Sequence, residues 1–143
     1  MMHILDYIKG DLKNMVHGKK EAQHKEEDMD QWLEQFFLDP LTSYLDEAEF
    51  RIDLFETAEE YIIEALLPAY QIHEIDISLE SNTIRIQVQK EHQEKNIKQR
   101  KIPFPFPVIN HRVTAVFHDD ILEVFVAKNI LFAGTNRKVS IKQ

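Results

Sequence analysis

His111 and His118 lie close in sequence, and a pair of neutral imidazoles is where a transition-metal site would begin. No further ligands stand at metal-binding spacing: the chain has no cysteine, and its other histidines are scattered. Glu59-Glu60 and Asp119-Asp120 supply paired carboxylates, the raw material of acid–base catalysis, but both pairs sit in polar, turn-prone stretches and read as solvated charge. Three glycines, Gly10, Gly18 and Gly134, are too dispersed for a phosphate loop or a dinucleotide fingerprint, and neither HExxH nor GxSxG occurs. Without cysteine there is no thiol catalysis, thiolate metal site or disulfide. No catalytic residue, cofactor-binding residue or metal ligand is assigned, no cofactor is expected, and nothing is present to carry an ATP-dependent activity. The chain reads as something other than an enzyme.

What remains is the chemistry of apolar side chains presented in patterns. Val113, Ala115 and Phe117 share one face of a strand, and Leu122, Val124 and Val126 share one face of the next, with the polar turn His118-Asp119-Asp120 between them. The outward face of this hairpin is only half polar, since Val116 and Phe125 sit on it beside Thr114, His118 and Glu123. Such a patch on a sandwich strand pair is a candidate contact surface. Near the C-terminus a polar stretch, Gly134 to Lys138, ends in Val139-Ser140-Ile141, an alternating apolar pair on a tether that suits strand-like docking.

The elements around these features change period once. Ile4, Ile8, Leu12 and Met15 form a helical stripe with Leu5 and Val16 at its margins. Residues 19–30 are almost all charged or amide, and then Trp32, Leu33, Phe36 and Phe37 recur at helical spacing from an Asp30 N-cap to a stop at Pro40. The two stripes either cover the protein's own core or bind partners. From Phe50 onward the period is two: Ile52 and Leu54, then Tyr61 to Leu67, then Ile75, Ile77 and Leu79, then Ile84, Ile86 and Val88. Evenly spaced short strands without intervening helices predict an antiparallel β-sandwich. Residues 91–99 read as a polar loop, and Lys98 to Lys101 as solvated loop charge. In Ile102-Pro-Phe-Pro-Phe-Pro-Val108 the residues Ile102, Phe104, Phe106 and Val108 share a face, while the prolines delete N–H donors from one side only. That predicts an edge strand whose other side can still pair.

With 143 residues, 43% hydrophobic and 29% charged, the chain has the composition of one globular domain with extensions. Its net charge of −8 gives no footprint for a phosphate backbone, so no nucleic-acid partner is expected. Asp6 and Lys9 interrupt the first apolar stretch, so it does not read as a signal peptide, and no apolar run reaches the roughly 18 residues of a membrane span. A cytoplasmic protein with no membrane partner is the expectation.

The segment from Arg51 to Lys128 resembles the α-crystallin domain of the small heat-shock proteins. The matching pieces are Asp53 to Glu56, Glu60 to Pro68, Ile75 to Glu80, Asn82 to Ile86 and Ile102 to Pro107. Most specific is Ala115-Val-Phe-His-Asp-Asp-Ile-Leu122, similar to the family's A-x-x-x-D-G-V-L signature. The resemblance implies an all-β, immunoglobulin-like antiparallel sandwich over 50–128, a variable helical N-terminal region over 1–49, and a flexible C-terminal extension over 129–143. It makes Val139 and Ile141 the oligomer-docking motif, which in the family enters a groove on a neighbouring chain. It makes Trp32, Leu33, Phe36 and Phe37 a client or assembly segment, and Val116 with Phe125 a groove or outer-face patch. The implied activity is that of an ATP-independent holdase whose partners are further copies of itself and partly unfolded client proteins. Divergent bacterial members occur in the endospore coat, so a structural coat role with coat-protein partners and a spore-coat location is the alternative; a monomeric co-chaperone-like module is a third. Two positions depart from the pattern. Asp120 replaces the turn glycine, and the 91–99 segment is short for a swapped strand, which leaves pairing through the 102–108 edge or a monomer as the expected states.

Overall fold

A computed structural model describes residues 30–93 and 95–143. The Ile4–Met15 stripe and most of the charged stretch after it lie outside the described residues. Residues 30–38 are helical (α1) and are followed by α2, Pro40–Ala48. Asp30 is already inside α1 rather than capping it. Pro40 does end α1, yet it also opens α2: Asp39 accepts a hydrogen bond from the Leu41 N–H at 2.9 Å, with Pro40 just inside the helix. An Asp-Pro step is both a stop and an N-cap, and the second role is the one that the sequence reading leaves out.

Nine strands follow: β1 Ile52–Glu56, β2 Glu60–Leu66, β3 Ile75–Glu80, β4 Thr83–Gln89, β5 Ile97–Pro103, β6 His111–His118, β7 Ile121–Leu131, β8 Arg137–Lys138 and β9 Ile141–Lys142. They form two sheets. Sheet A has the order β1-β2-β7-β6-β9 and sheet B the order β5-β4-β3-β8, with antiparallel pairing everywhere except between β6 and β9. This is the sandwich that the period-two pattern predicts, because alternation places one face of each strand between the sheets. On the inner face of sheet A, Leu54, Ile63, Val124 and Ala115 lie in one cross-strand row and Ile52, Ala65 and Leu122 in the next, all buried. Ile75, Ile77, Leu79, Ile84, Ile86, Val88 and Ile102 meet them from sheet B. Each leucine, isoleucine and valine among them contributes about 1.5–3 kcal/mol by leaving water.

The β6–β7 turn has the two-residue form, with His118 opposite Ile121 and positive φ at both Asp119 (51°) and Asp120 (68°). Two left-handed residues match the twist of the flanking strands, and glycine is the usual second residue. Asp120→Gly is accordingly expected to raise stability by about 1 kcal/mol, seen as a higher midpoint in thermal or urea unfolding with no change in the strands.

Two expectations are corrected. The edge strand β5 begins at Ile97, within the stretch read as loop, and ends at Pro103; Ile102 belongs to it, whereas Phe104 and Phe106 follow it in an irregular connection. Phe104 is buried and Phe106 half-buried, so they still face the core, but Pro105 and Pro107 prevent continued pairing. Second, Arg100 is not solvated: its side chain is 2% exposed and it faces inward opposite Ile86. Its guanidinium bonds the carboxylate of Asp46 on α2 and, at 2.8 Å, the Phe50 carbonyl. The side of β5 that can still pair is taken by β4, as the one-sided prolines predict. The Gln99 N–H turns away from β4 to the Glu49 carboxylate at 3.0 Å, and by alternation Pro103 presents its missing donor on that same side. Open pairing through this edge is thereby obstructed by the α2 end of the chain itself.

Candidate functional site

The edges of the two sheets on the opposite flank of the sandwich are β3 and β6, and the C-terminal tail is seated on both. β8 pairs with β3 through Ser78–Lys138 and Leu79–Arg137, and the Val139 N–H donates to the Ile77 carbonyl at 3.0 Å. β9 then crosses to sheet A and runs parallel to β6, with Ile141 beside Ala115 and Lys142 beside Val116. Val139 and Ile141 are half-buried against the core, Ile141 extending the inner row that ends in Ala115. An alternating pair does this because residues two apart on a strand share a face, so both side chains enter together while Ser140 stays outside. The tail strand is on its own chain's groove, where the family resemblance led to a neighbour's.

The spacer before it is anchored rather than loose. Asn110 accepts the Gly134 N–H at 3.0 Å, and the Arg137 guanidinium donates to the carbonyls of Ile109 (2.7 Å), His111 (2.8 Å) and Thr135 (3.2 Å) while lying over the Phe132 ring. Asn136 accepts the Ser81 N–H at 2.9 Å, and Lys138 pairs with Asp76 at 3.0 Å. Gly134 is required by space: a Cβ there would fall 1.7 Å from the Ile109 carbonyl oxygen. Gly134, Arg137 and Asn110 are functional in this sense, and only the glycine leaves a trace in the sequence, at the start of the polar spacer.

The proposed client segment is not open surface in this state. Leu33 is 1% exposed and belongs to the core, and Trp32, Phe36 and Phe37 pack against it, with the Trp32 ring 4.8 Å from that of Phe104. The apolar side chains that do face outward nearby are Leu38, Leu41 and Tyr44. Val116 and Phe125 lie on the outer face of sheet A, half-buried and in adjacent cross-strand rows, as diagonal neighbours on β6 and β7, and Val116 adjoins β9. His111 Nδ1 donates to the Ala127 carbonyl at 2.7 Å, and His118 sits by Asp119 at the turn. Among the described residues no group of three or more candidate ligands comes together. Nor is any described helix long and apolar enough to cross a membrane.

On the outer face, Asp53, Glu64 and Glu123 stand opposite one another on β1, β2 and β7. Partial burial, then the Glu123 and Asp53 charges, push the Glu64 carboxyl above its ordinary value of 4.5. A raised carboxyl means the ionised form is disfavoured by folding, so the cost is full above the folded pKa and vanishes as pH falls toward the unfolded value. Glu64→Gln is therefore expected to stabilise the protein near neutral pH by about 0.2–1 kcal/mol. The gain should disappear in acid, which urea titrations at two pH values would measure. Elsewhere, Glu74 is held below the usual range by the N–H groups of Glu91 and Gln71, which clamps the entry to the 90–96 connection.

Comparison with known proteins follows the geometry. No family model matches the chain. Small heat shock protein C2 of Rickettsia felis is 27% identical over 133 residues, covering 83% of this chain and 85% of that protein. Among solved structures, the Del-C4 mutant of hsp14.1 from Sulfolobus solfatataricus P2 superposes with a TM-score of 0.50 at 19% identity, over 72% of this chain and 99% of the other, a likeness of fold. Spore coat protein M of Bacillus subtilis (strain 168) is 36% identical over 115 residues, covering 80% of this chain and 85% of that protein. The chain belongs to the small heat-shock protein family, and spore coat protein M is among its relatives. As a small heat-shock protein it has the α-crystallin sandwich, a turn aspartate in place of glycine, and a short connection before β5. Its tail motif lies across its own β3 and β6 edges.

Proposed function

We propose that this small heat-shock protein is an ATP-independent holdase that binds partly unfolded proteins and assembles with further copies of itself through its N-terminal region and its C-terminal tail. The observation that carries the reading is the seat of the tail. Two sheet edges hold an extended segment by main-chain pairing and two apolar side chains, a mode that needs no cofactor and tolerates many sequences. When the tail leaves, the same edges can take a client strand or the tail of a second copy. A second client surface lies under α1, where Trp32, Phe36 and Phe37 become available if the helix lifts from the sandwich. The place of action is the cytoplasm.

The decisive measurement is light scattering from a heat-labile client with and without the purified protein. Suppressed aggregation is expected, and its strength should change when Val139 and Ile141 are both replaced by Ala. No suppression at molar excess would remove the holdase reading. The 36% identity with spore coat protein M favours one other role, a structural component of the endospore coat whose partners are coat proteins. A fluorescent fusion in sporulating cells separates the two: heat-induced cytosolic foci belong to a holdase, a shell around the forespore to a coat component.

A further inference from the structure

β7 does not end where its neighbour does. Its register with β2 closes at Ala127, with one further bond from the Lys128 N–H to the Glu59 carbonyl at 2.8 Å, yet the strand runs on to Leu131. Against β6 the register slips in the same place. Val126 faces Val113 and Leu131 faces His111, so residues 127–130 of β7 stand against Arg112 alone. A bulge of this kind breaks the alternation of side chains and leaves ladder groups unpaired; His111 satisfies one of them, the Ala127 carbonyl. Three consecutive apolar side chains face outward as a result: Ile130 is 43% exposed, Leu131 63% and Phe132 46%. The segment is still held in place, since the Phe132 N–H donates to the Asn110 carbonyl at 3.0 Å and the Arg137 guanidinium lies over the Phe132 ring. Among the described residues no strand pairs with Asn129 to Leu131 on the side away from β6. The other edges are guarded: the tail covers β3 and β6, Glu49 and Pro103 obstruct β5, and Asp46 takes the Ile52 N–H at the start of β1.

We infer that Ile130, Leu131 and Phe132 form the contact surface for a second copy of this chain, joined edge to edge across a two-fold axis. Charge selects the occupant. A chain of net charge −8 repels its own copies, so a self-contact needs a neutral patch, and residues 129–136 carry no charge. Leu38, Leu41 and Tyr44, the exposed apolar side chains of α1 and α2, fail that condition, because residues 30–50 hold six acidic residues and no basic one. Order points the same way. A second copy brings an identical segment already extended, whereas an unfolded chain must give up backbone freedom residue by residue to match it. Across a two-fold axis the same patch serves both partners. The inference does not rest on the holdase reading, and it places a self-contact outside the tail seat.

The chain has no native cysteine, so single-cysteine variants of the full-length protein report directly on neighbours. Asn129→Cys, Ile130→Cys, Leu131→Cys and Phe132→Cys are oxidised with copper phenanthroline, and disulfide-linked dimer is read on denaturing gels. The yield is expected to peak at the position nearest the two-fold axis and to fall on either side, since only there do two cysteines come within bonding distance. Tyr44→Cys, at a position 65% exposed, sets the level due to random collision. Ile130→Lys in the Leu131→Cys background should lower the yield about fivefold, the effect of losing one central contact. Val139→Ala/Ile141→Ala in that background should leave it unchanged, because the tail seat is not part of the contact. Circular dichroism checks each fold, with Ile130→Ser in reserve if the lysine disturbs it. A flat profile at the Tyr44→Cys level, or a yield indifferent to Ile130→Lys, would overturn the assignment. So would a yield lost with the tail pair, which would mean that the copies meet through their tails.

Discussion

Replacing Asp46 with Ala is expected to cost about 3–5 kcal/mol of unfolding free energy, a large share of the stability of a domain this size. Arg100 is 2% exposed on the inner face of β5, and among the described residues the Asp46 carboxylate is the only anion bonded to its guanidinium. The same carboxylate oxygen also accepts the Ile52 N–H at 3.2 Å, so the substitution leaves a buried cation and a strand-initiating N–H without their acceptor. The Phe50 carbonyl retains one bond to Arg100 but carries no charge. If the loss is due to the stranded cation, Arg100→Met in the Asp46→Ala background should recover about 1–3 kcal/mol, since a buried pair replaced as a unit is often tolerated. Urea unfolding of the four proteins in this cycle measures the coupling. Equal losses in the single and double variants would mean that the charge itself is not what matters. This pair also fastens α2 to β5, and with it the Glu49 carboxylate that occupies the Gln99 N–H on the sheet edge. Its loss should open that edge, which light scattering would register as concentration-dependent association.

Gly134→Ala is expected to unseat the tail while the sandwich stays folded. The added methyl would lie 1.7 Å from a backbone oxygen, and neither group can rotate out of the way. Relief requires the spacer to move by more than an ångström, which breaks the Gly134–Asn110 bond and displaces Arg137 from the Ile109 and His111 carbonyls. Overpacking of this kind costs about 1–3 kcal/mol, and here the chain can avoid it by releasing residues 133–143. Hydrogen exchange should therefore show fast Val139 and Ile141 amides with β2, β4 and β7 still protected. Uniform acceleration across the sandwich would instead mean that the tail is an integral part of the fold. In the holdase assay the variant should act as a tail-released protein, so its protection should match that of the Val139→Ala/Ile141→Ala double variant.

The sandwich was legible because β periodicity is a local property. Ile52 and Leu54, Ile75 to Leu79, Ile84 to Val88, and Val113 to Val126 each alternate strictly enough to name their buried face without any partner. The β6–β7 turn was legible for the same reason, down to the strained Asp120. Charge was the least informative feature. Lys98, Arg100 and Lys101 look alike in sequence, yet only Arg100 is buried, because Asp46, 54 residues earlier, folds onto it. The extent of β5 was misread for a related reason: Ile97 to Gln99 alternate nothing apolar, and are held in place by pairing with Gln87 to Gln89.

The types and spacings of residues in the chain determined by themselves that it is a β-sandwich, and they single out Val139 and Ile141 as an alternating apolar pair that shares one face. These follow from alternation, turn chemistry and composition, which act over a few residues. Tertiary structure decided which groove the tail enters, that Trp32, Leu33, Phe36 and Phe37 close over the core, and that three carboxylates share a row on sheet A. Those outcomes depend on which edges and faces meet across long sequence separations. Their free energies come from contacts between distant residues, which no local pattern records.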